Sequence, residues 1–276
     1  MNTPHRARKR FGQNFLHDPL VIQRIADNIN PQPDQHLVEI GPGMGALTRF
    51  LLPRCGRLDA IELDRDLVPI LKQACRVLGD LHVHNADALR FDMHSLIEDG
   101  EKLRIVGNLP YNISTPLLFH LISQIEIIED MHFMLQKEVV DRITAAAGSR
   151  DYGRLSVMAQ YYCQAERLFI VKPGAFNPAP RVDSAIIRLR PHHSKPVEVH
   201  DMKGFSALVT KAFSQRRKTI RNALKGLLSE ADISGLGIDP GVRPEVLQLN
   251  DFANLSNLLT PADARQLADT NSGLPK

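Results

Sequence analysis

The first 190 residues alternate short apolar runs with segments whose apolar residues recur at helical spacing. Runs such as 36–40 and 103–107 have the length of buried strands, whereas 19–29 places apolar residues on one helical face behind Asp18, a favoured N-cap. The predicted strands are 36–40, 57–63, 81–85, 103–107 and 131–136. Helices are predicted after the first, second, fourth and fifth of these strands, over 45–55, 64–75, 116–126 and 137–146. This alternation predicts an α/β fold with a mostly parallel, doubly wound sheet.

The pattern changes after a predicted helix at 154–164. Two apolar segments, 166–176 and 183–190, are joined too closely for a helix to fit between them, so they are predicted to pair antiparallel. The polar segment 191–200 carries two prolines and is typical of a linker. Beyond it the pattern is helical to about residue 269. The predicted organisation is a basic arm over 1–17, an α/β domain over 18–192 and a small all-α domain over 200–276.

Composition narrows the class of protein. Hydrophobic residues make up 43% of the 276 positions, enough for a sizeable core, yet none of the apolar runs approaches the roughly 18–20 residues that span a bilayer. The amino terminus lacks the apolar segment of a secretory signal. Cys55, Cys75 and Cys163 have no metal-like spacing. We therefore expect a reduced, cytoplasmic protein without a bound metal.

The formal net charge of +3 hides a segregation of charge. Residues 1–17 hold four Lys or Arg and no acid, and 203–229 hold seven and no acid. Without these 11 of the 34 basic residues, the chain carries 23 against 31 acidic ones. Two acid-free basic tracts on an acidic body favour a polyanionic partner, because neutralising phosphates requires clustered cations.

A glycine-rich loop follows the first predicted strand. Gly41, Gly43 and Gly45 lie in "VEIGPGMGALT", between strand and helix, where glycines let the backbone approach a ligand closely. With Ala46 in the last position the loop also satisfies the dinucleotide pattern, so a nicotinamide cofactor must be weighed.

Three acids on successive strand ends indicate the ligand. Glu62 ends the second strand at the interval where a carboxylate binds ribose hydroxyls, and Asp87 closes the third, where it can accept from an adenine amine. Glu39 precedes the glycine loop. There its carboxylate would disfavour a pyrophosphate and attract a cationic group of the ligand. A ribose, an adenine and a positive charge together favour S-adenosylmethionine over a nicotinamide cofactor. Leu63 and Ala88, each next to one of these acids, complete the predicted pocket.

The segment Asn108-Leu109-Pro110-Tyr111 closes the fourth predicted strand. An adenine amine is a poor nucleophile because its lone pair is delocalised into the ring. The Asn108 side-chain carbonyl and the Leu109 main-chain carbonyl are predicted to accept its two N–H groups, so that the lone pair points at a methyl donor. Pro110 stiffens the turn, and Tyr111 offers a ring on which an extruded base can stack.

Eight segments resemble, in order and spacing, those of the bacterial 16S ribosomal RNA adenine N6,N6-dimethyltransferase family. They are RFGQNFLHD, VEIGPGMGALT, IELDRDL, GNLPYNISTPLLFHL, MLQKEVVDRI, YGRLSV, GAFNPAPRVDSA and KAFSQRRKTIRNALK. This resemblance implies a Rossmann-like class I methyltransferase that transfers four methyl groups to two adjacent adenosines in the terminal hairpin of 16S RNA, within a small-subunit precursor. A cleft that must admit such a particle favours a monomer.

The resemblance also assigns residues that composition and spacing leave open. It implies that Gln13, Asn14 and Leu16 join the cofactor site on an arm that folds over it, and that Phe176 sandwiches the target base against Tyr111. The cations predicted to bind RNA come from the two basic tracts, and the resemblance implies this role for the second tract. They are Arg6, Arg8, Lys9, Arg10, Lys211, Arg216, Arg217, Lys218, Arg221 and Lys225. In the second tract Ile220 and Leu224 keep an apolar stripe, so the cations are expected to face outward.

Three other functions share some of these features. The related 23S RNA enzymes that confer macrolide resistance share the "QNF" and Asn-x-Pro-aromatic segments, although "SQRRKTIRNAL" and "PAPRVDSA" favour the 16S enzyme. A protein-glutamine methyltransferase uses a similar amide-binding loop, but Leu109 and the basic tracts speak against it. A non-catalytic RNA-binding assembly factor is disfavoured by the intact set of Glu62, Asp87, Asn108 and Tyr111.

Overall fold

The computed structural model describes residues 13–98, 100–215, 217–260 and 267. Its contacts divide the chain into two compact units, one within 1–140 and 165–191, the other within 141–164 and 192–276. The grouping of 141–164 with the second unit differs from the predicted boundaries, because α6 (Arg154–Tyr162) packs against helices of that unit.

A mostly parallel sheet of seven strands forms the first unit within the described residues. Its strands, in the order in which they lie side by side, are β4 (Asp80–His84), β3 (Arg57–Ile61), β2 (His36–Ile40), β5 (Leu103–Asn108), β6 (Ile128–Gln136), β9 (Ser184–Pro191) and β7 (Cys163–Val171). β4, β3, β2, β5 and β6 run parallel, and β9 pairs antiparallel with β6. The predicted α/β architecture is confirmed.

Helices cover the sheet. They are α1 (Pro19–Ile29), α2 (Thr48–Cys55), α3 (Val68–Cys75), α4 (Ser114–Ile122) and, at the unit boundary, α5 (Lys137–Ile143). α1 begins where predicted, because the Asp18 carboxylate accepts the main-chain N–H groups of Leu20 and Val21. All five residues of β2 are buried, so both faces of the sheet are covered.

Three elements begin or end a few residues away from their predicted bounds. The helix predicted from residue 45 begins at Thr48, because residues 44–47 form turns, and the helix predicted over 116–126 spans Ser114–Ile122. The strand predicted from 131 begins three residues earlier, at Ile128.

A two-stranded antiparallel sheet joins distant parts of the chain and was not predicted. β1 (Phe15–Leu16) pairs with β8 (Phe176–Asn177), with Leu16 opposite Phe176. A strand of two residues carries no hydrophobic period, so the sequence gives no signal for it.

The second unit is helical. Besides α6 it contains α7 (Met202–Phe213), α8 (Ile220–Ala223), α9 (Glu230–Gly235) and α10 (Leu249–Asn257). Phe205 and Phe252 are fully buried in it, and the Phe213 and Phe252 ring centroids lie 5.5 Å apart. Among the described residues, neither unit has a helix long and apolar enough to cross a bilayer.

Candidate active site

A cavity of about 200 Å³ opens at the carboxyl ends of the parallel strands. Ligands of open α/β sheets bind at such strand ends. The structure brings into its wall fourteen of the residues predicted for cofactor binding or catalysis: Gln13, Asn14, Leu16, Glu39, Gly41, Gly43, Glu62, Leu63, Asp87, Ala88, Asn108, Leu109, Pro110 and Tyr111.

Glu62 fixes the glycine loop to the end of β3. Its two carboxylate oxygens accept the main-chain N–H groups of Gly43, at 3.0 Å, and Asp64, at 2.8 Å. Burial raises the pKa of Glu62, although these N–H groups oppose the rise. A carboxylate has about four lone-pair sites, so acceptor capacity remains for a ligand's hydroxyl group.

Gly43 shows why the loop contains glycine. Its φ of +60° lies in the left-handed region, and an added Cβ would meet the Phe15 ring at 3.2 Å. The loop therefore lies directly under the segment 13–17, which a larger residue would displace.

Glu39 is a buried carboxyl group in the cavity wall, with a relative exposure of 2%. Its Oε2 has no hydrogen-bond partner among the described residues. Burial raises the pKa of Glu39 to about 7, and the charge of the nearby Glu62 adds to this rise. A cationic ligand group would compensate this site, because a buried charge needs a partner.

Asp87 lines the cavity in the loop after β4. Its Oδ1 accepts the N–H of Leu89 at 3.0 Å, which holds the loop and leaves Oδ2 for a ligand. The neighbouring Asn85 side chain donates to the Glu62 carbonyl at 2.8 Å, so the ends of β3 and β4 are tied together.

Residues 13–17, here called the strap, cross the cavity wall. The Gln13 side-chain amide donates to Asp64 Oδ2 at 3.3 Å, and the main-chain oxygen of Asn14 accepts from Asn108 Nδ2 at 3.0 Å. The His17 N–H donates to the Ala175 carbonyl at 2.9 Å. The strap thus connects the ends of β3 and β5 with β8.

The Asn108–Tyr111 segment leaves β5 in a fixed turn. The Leu109 N–H donates to the Met134 carbonyl at 3.2 Å, and the Ile113 N–H donates to the Pro110 carbonyl at 3.1 Å. Just before it, an added Cβ on Gly107 would lie 2.5 Å from the Ile40 carbonyl oxygen, so only glycine lets β5 approach β2 at this point.

Two predicted site residues lie outside the cavity wall. An added Cβ on Gly45 would lie 2.9 Å from Leu71 Cδ1, so this glycine lets the loop before α2 pack closely on α3, and it does not line the cavity. Phe176 is 4% exposed and belongs to the core, where its strand pairs with the strap. Its predicted stacking role stays a prediction, because the ring packs in the core beside the strap and does not line the cavity.

The predicted RNA-binding cations divide into two groups. Lys211, Arg217, Lys218, Arg221 and Lys225 are exposed, whereas Ile220 and Leu224 between them are fully buried, as the apolar stripe predicts. Arg6, Arg8, Lys9, Arg10 and Arg216 lie outside the described residues.

Sequence reasoning missed several wall residues. Phe15, Ile25, His132 and Ile186 line the cavity, but neither the type nor the spacing of these residues distinguishes them from residues of the core. Ser184 was missed as well, although its hydroxyl lies 2.7 Å from the Tyr111 phenol oxygen.

Known proteins resemble this chain over most of its length. The sequence model of the family described as "Ribosomal RNA adenine dimethylase" matches residues 4–261. "Ribosomal RNA small subunit methyltransferase A" of Marinomonas sp. (strain MWYL1) is 58% identical over 254 residues, which cover 92% of this chain and 96% of that relative. Among solved structures, a dimethyladenosine transferase from Plasmodium falciparum is 26% identical with a TM-score of 0.76, covering 87% of this chain and 95% of the other. The 23S rRNA methyltransferase ErmE is 28% identical with a TM-score of 0.71, covering 89% and 99%.

Proposed function

Because the chain belongs to the ribosomal RNA adenine dimethylase family, we propose that it dimethylates the N6 amines of two adjacent adenosines in the 3′-terminal hairpin of 16S RNA. The chain is an S-adenosylmethionine-dependent ribosomal RNA adenine methyltransferase with the Rossmann-like class I fold. The small-subunit substrate is supported by the relative that is 58% identical, against 28% for the 23S enzyme.

The biological setting is part of the same proposal. The basic tracts 1–17 and 203–229 suit an RNA substrate within a small-subunit precursor. A monomer would have the easiest access to such a particle. Ribosomal RNA lies in the bacterial cytoplasm, so the enzyme would act there during small-subunit biogenesis.

The residues of the cavity fit S-adenosylmethionine. The unpartnered Oε2 of buried Glu39 suits a cationic amino-acid end, the remaining lone pairs of Glu62 suit ribose hydroxyls, and Asp87 Oδ2 suits an adenine amine. The pyrophosphate of a dinucleotide would instead be disfavoured there, because its negative charge would lie near the carboxyl group of Glu39. When bound, this cofactor supplies an electrophilic methyl group on a sulfonium, and the protein positions the nucleophile.

One observation carries the assignment of Asn108. A carbonyl oxygen can only accept, so the 3.0 Å contact with the Asn14 carbonyl requires that Nδ2 of Asn108 face the strap. Oδ1 is then the atom of this amide that is left for a substrate. Together with the Leu109 carbonyl, it would accept both N–H groups of an adenine N6 amine and leave the nitrogen lone pair to react.

The remaining residues hold this arrangement in place. Pro110 fixes the turn, and the half-buried Tyr111 supplies a ring for an extruded base. A strong general base is unnecessary, because the methylated amine is positively charged and loses its proton to water.

Labelled-methyl transfer tests the proposal. The protein is incubated with labelled S-adenosylmethionine and either 16S or 23S RNA from cells that lack it, and modified nucleosides are identified by mass spectrometry. Dimethyladenosine at two adjacent positions of 16S RNA is the expected product. Label in 23S RNA alone would overturn the proposed substrate.

A further inference from the structure

A hydrogen bond links the proposed base-stacking residue to a distant strand of the sheet. The phenol oxygen of Tyr111 lies 2.7 Å from the hydroxyl oxygen of Ser184. Tyr111 lies in the turn after β5, whereas Ser184 is the first residue of β9, and β6 lies between these two strands. The phenol therefore reaches across one strand to its partner.

The Ser184 end of this bond is rigid. Ser184 is fully buried and pairs with Gln136 in the antiparallel ladder of β6 and β9. The preceding Asp183 accepts the Lys137 N–H on its carbonyl at 2.9 Å, and its carboxylate forms a 2.7 Å ion pair with Lys172. The main chain of Ser184 is thus held by the ladder with β6 and by the contacts of Asp183, so its hydroxyl projects from a fixed point of the sheet.

The Tyr111 end would be less constrained without the bond. The ring lines the cavity and is half-buried, and its main-chain carbonyl accepts from the Ser114 hydroxyl at 3.1 Å. That contact fixes the backbone but leaves the ring free to turn about its side-chain torsions. The bond from Oη to Ser184 removes this freedom by holding the far end of the ring.

We propose that Ser184 is a positioning residue of the methyltransferase. Its hydroxyl holds the Tyr111 ring in the orientation that receives the target adenine, and Ser184 itself does not touch the substrate. This role rests on the proposed function, because it requires an extruded base at Tyr111. It also explains why the position carries tyrosine, since phenylalanine offers the same ring without the anchoring hydroxyl.

The bond can be removed from either side. Ser184→Ala and Tyr111→Phe are each compared with the wild type for the kcat/KM of methyl transfer to 16S RNA, and the double variant closes the cycle. We expect each single variant to lower kcat/KM about tenfold and the double variant to be no worse than either. Ser184→Thr keeps the hydroxyl and should restore most of the loss. Ser156→Ala removes an equally buried serine hydroxyl from the second unit and is the matched control.

Two binding measurements separate positioning from misfolding. The stoichiometry and affinity of S-adenosylmethionine binding, measured by calorimetry, should be unchanged in all variants. The fluorescence of 2-aminopurine placed at the target adenosine reports stacking of the base, and its quenching should weaken in Ser184→Ala and Tyr111→Phe. Tyr111→Phe keeps the proposal testable if Ser184→Ala fails to fold.

The outcomes are distinct. A wild type that methylates 16S RNA, with Tyr111→Phe equal to it in kcat/KM and quenching, overturns the role of Ser184 alone. Losses that multiply in the double variant also overturn it, because the two hydroxyls would then act separately. A wild type that transfers no methyl group to RNA overturns the proposed function and, with it, the positioning role.

Discussion

The side-chain amide of Asn108 donates a 3.0 Å hydrogen bond to the main-chain oxygen of Asn14, 94 residues earlier in the chain. This bond joins the strap to the end of β5 and fixes which atom of the amide faces the strap. In the proposed mechanism, cofactor binding and substrate orientation therefore share one contact. Because Asn14 contributes a main-chain atom, the contact depends on the path of the strap and not on the side chain at position 14.

The pH dependence of stability should report on Glu39. Its pKa in the folded protein, about 7, lies above its ordinary value of 4.5. Protonation of a group whose pKa is raised on folding stabilises the folded protein. This stabilisation is complete below about pH 4.5 and is lost as the pH rises through about 7. Glu39→Gln removes the titration. The free energy of unfolding is measured in urea at pH 5 and at pH 8. From pH 5 to pH 8 it should fall more for the wild type than for Glu39→Gln, by on the order of 3 kcal/mol at most.

The same residue should release a proton when the cationic cofactor binds. At pH 6 the free protein holds Glu39 mostly protonated, and a positive ligand favours the ionised form. Calorimetry of S-adenosylmethionine binding in buffers of different ionisation enthalpy should show close to one proton released. Glu129→Gln, at an exposed position, should behave as the wild type. Equal proton release by Glu39→Gln would contradict the assignment.

Gly43→Ala should weaken cofactor binding by displacing the strap. The new methyl group would lie 3.2 Å from the Phe15 ring, at a backbone φ of +60°. The strained φ alone should cost about 1 kcal/mol of stability, and the clash should raise the Kd for S-adenosylmethionine about tenfold.

Gly148→Ala is the matched control for that variant. Gly148 has a φ of +85°, and an added Cβ meets nothing within 4 Å. It should lose similar stability and bind the cofactor normally. Equal Kd values for the two glycine variants would show that the strap does not depend on Gly43.

Replacing Arg216, Arg217, Lys218 and Arg221 by glutamine should weaken RNA binding and flatten its dependence on salt. Each lost phosphate contact lowers the slope of log K against log[salt] by about one. Of the three described cations, Arg221 also forms an exposed 3.3 Å ion pair with Glu230. Lys72→Gln with Arg76→Gln, two exposed cations of the first unit, is the control. Affinity and slope equal to those of the wild type would remove this tract from the interface.

Local signals were strong enough to predict the scaffold and most of the cavity. Asp18-Pro19 starts α1 by a local cap, and the run at 36–40 forms β2 over the predicted residues. Glu39, Glu62 and Asp87 meet because parallel strands end at one edge, a relationship that topology imposes once the strand order is known.

Contacts made at long range could not be predicted in this way. The Tyr111–Ser184 bond spans 73 residues, and Ser184 is the first residue of a strand whose first four residues are all buried, so its sequence gives no sign of a partner. The pairing of Leu16 with Phe176 rests on two-residue strands without a period. Gly43 and Gly45 belong to the same glycine-rich loop, yet their surroundings differ. Gly43 lies under Phe15, whereas Gly45 packs on Leu71.

The central claim is that the Asn108 side-chain oxygen and the Leu109 carbonyl hold the target amine for reaction. Single-turnover methyl transfer to 16S RNA by Asn108→Ala, at saturating RNA and S-adenosylmethionine, tests it most directly. We predict a rate at least about 100-fold below that of the wild type, with RNA affinity near the wild-type value. Methyl transfer at the wild-type rate would contradict the role assigned to Asn108.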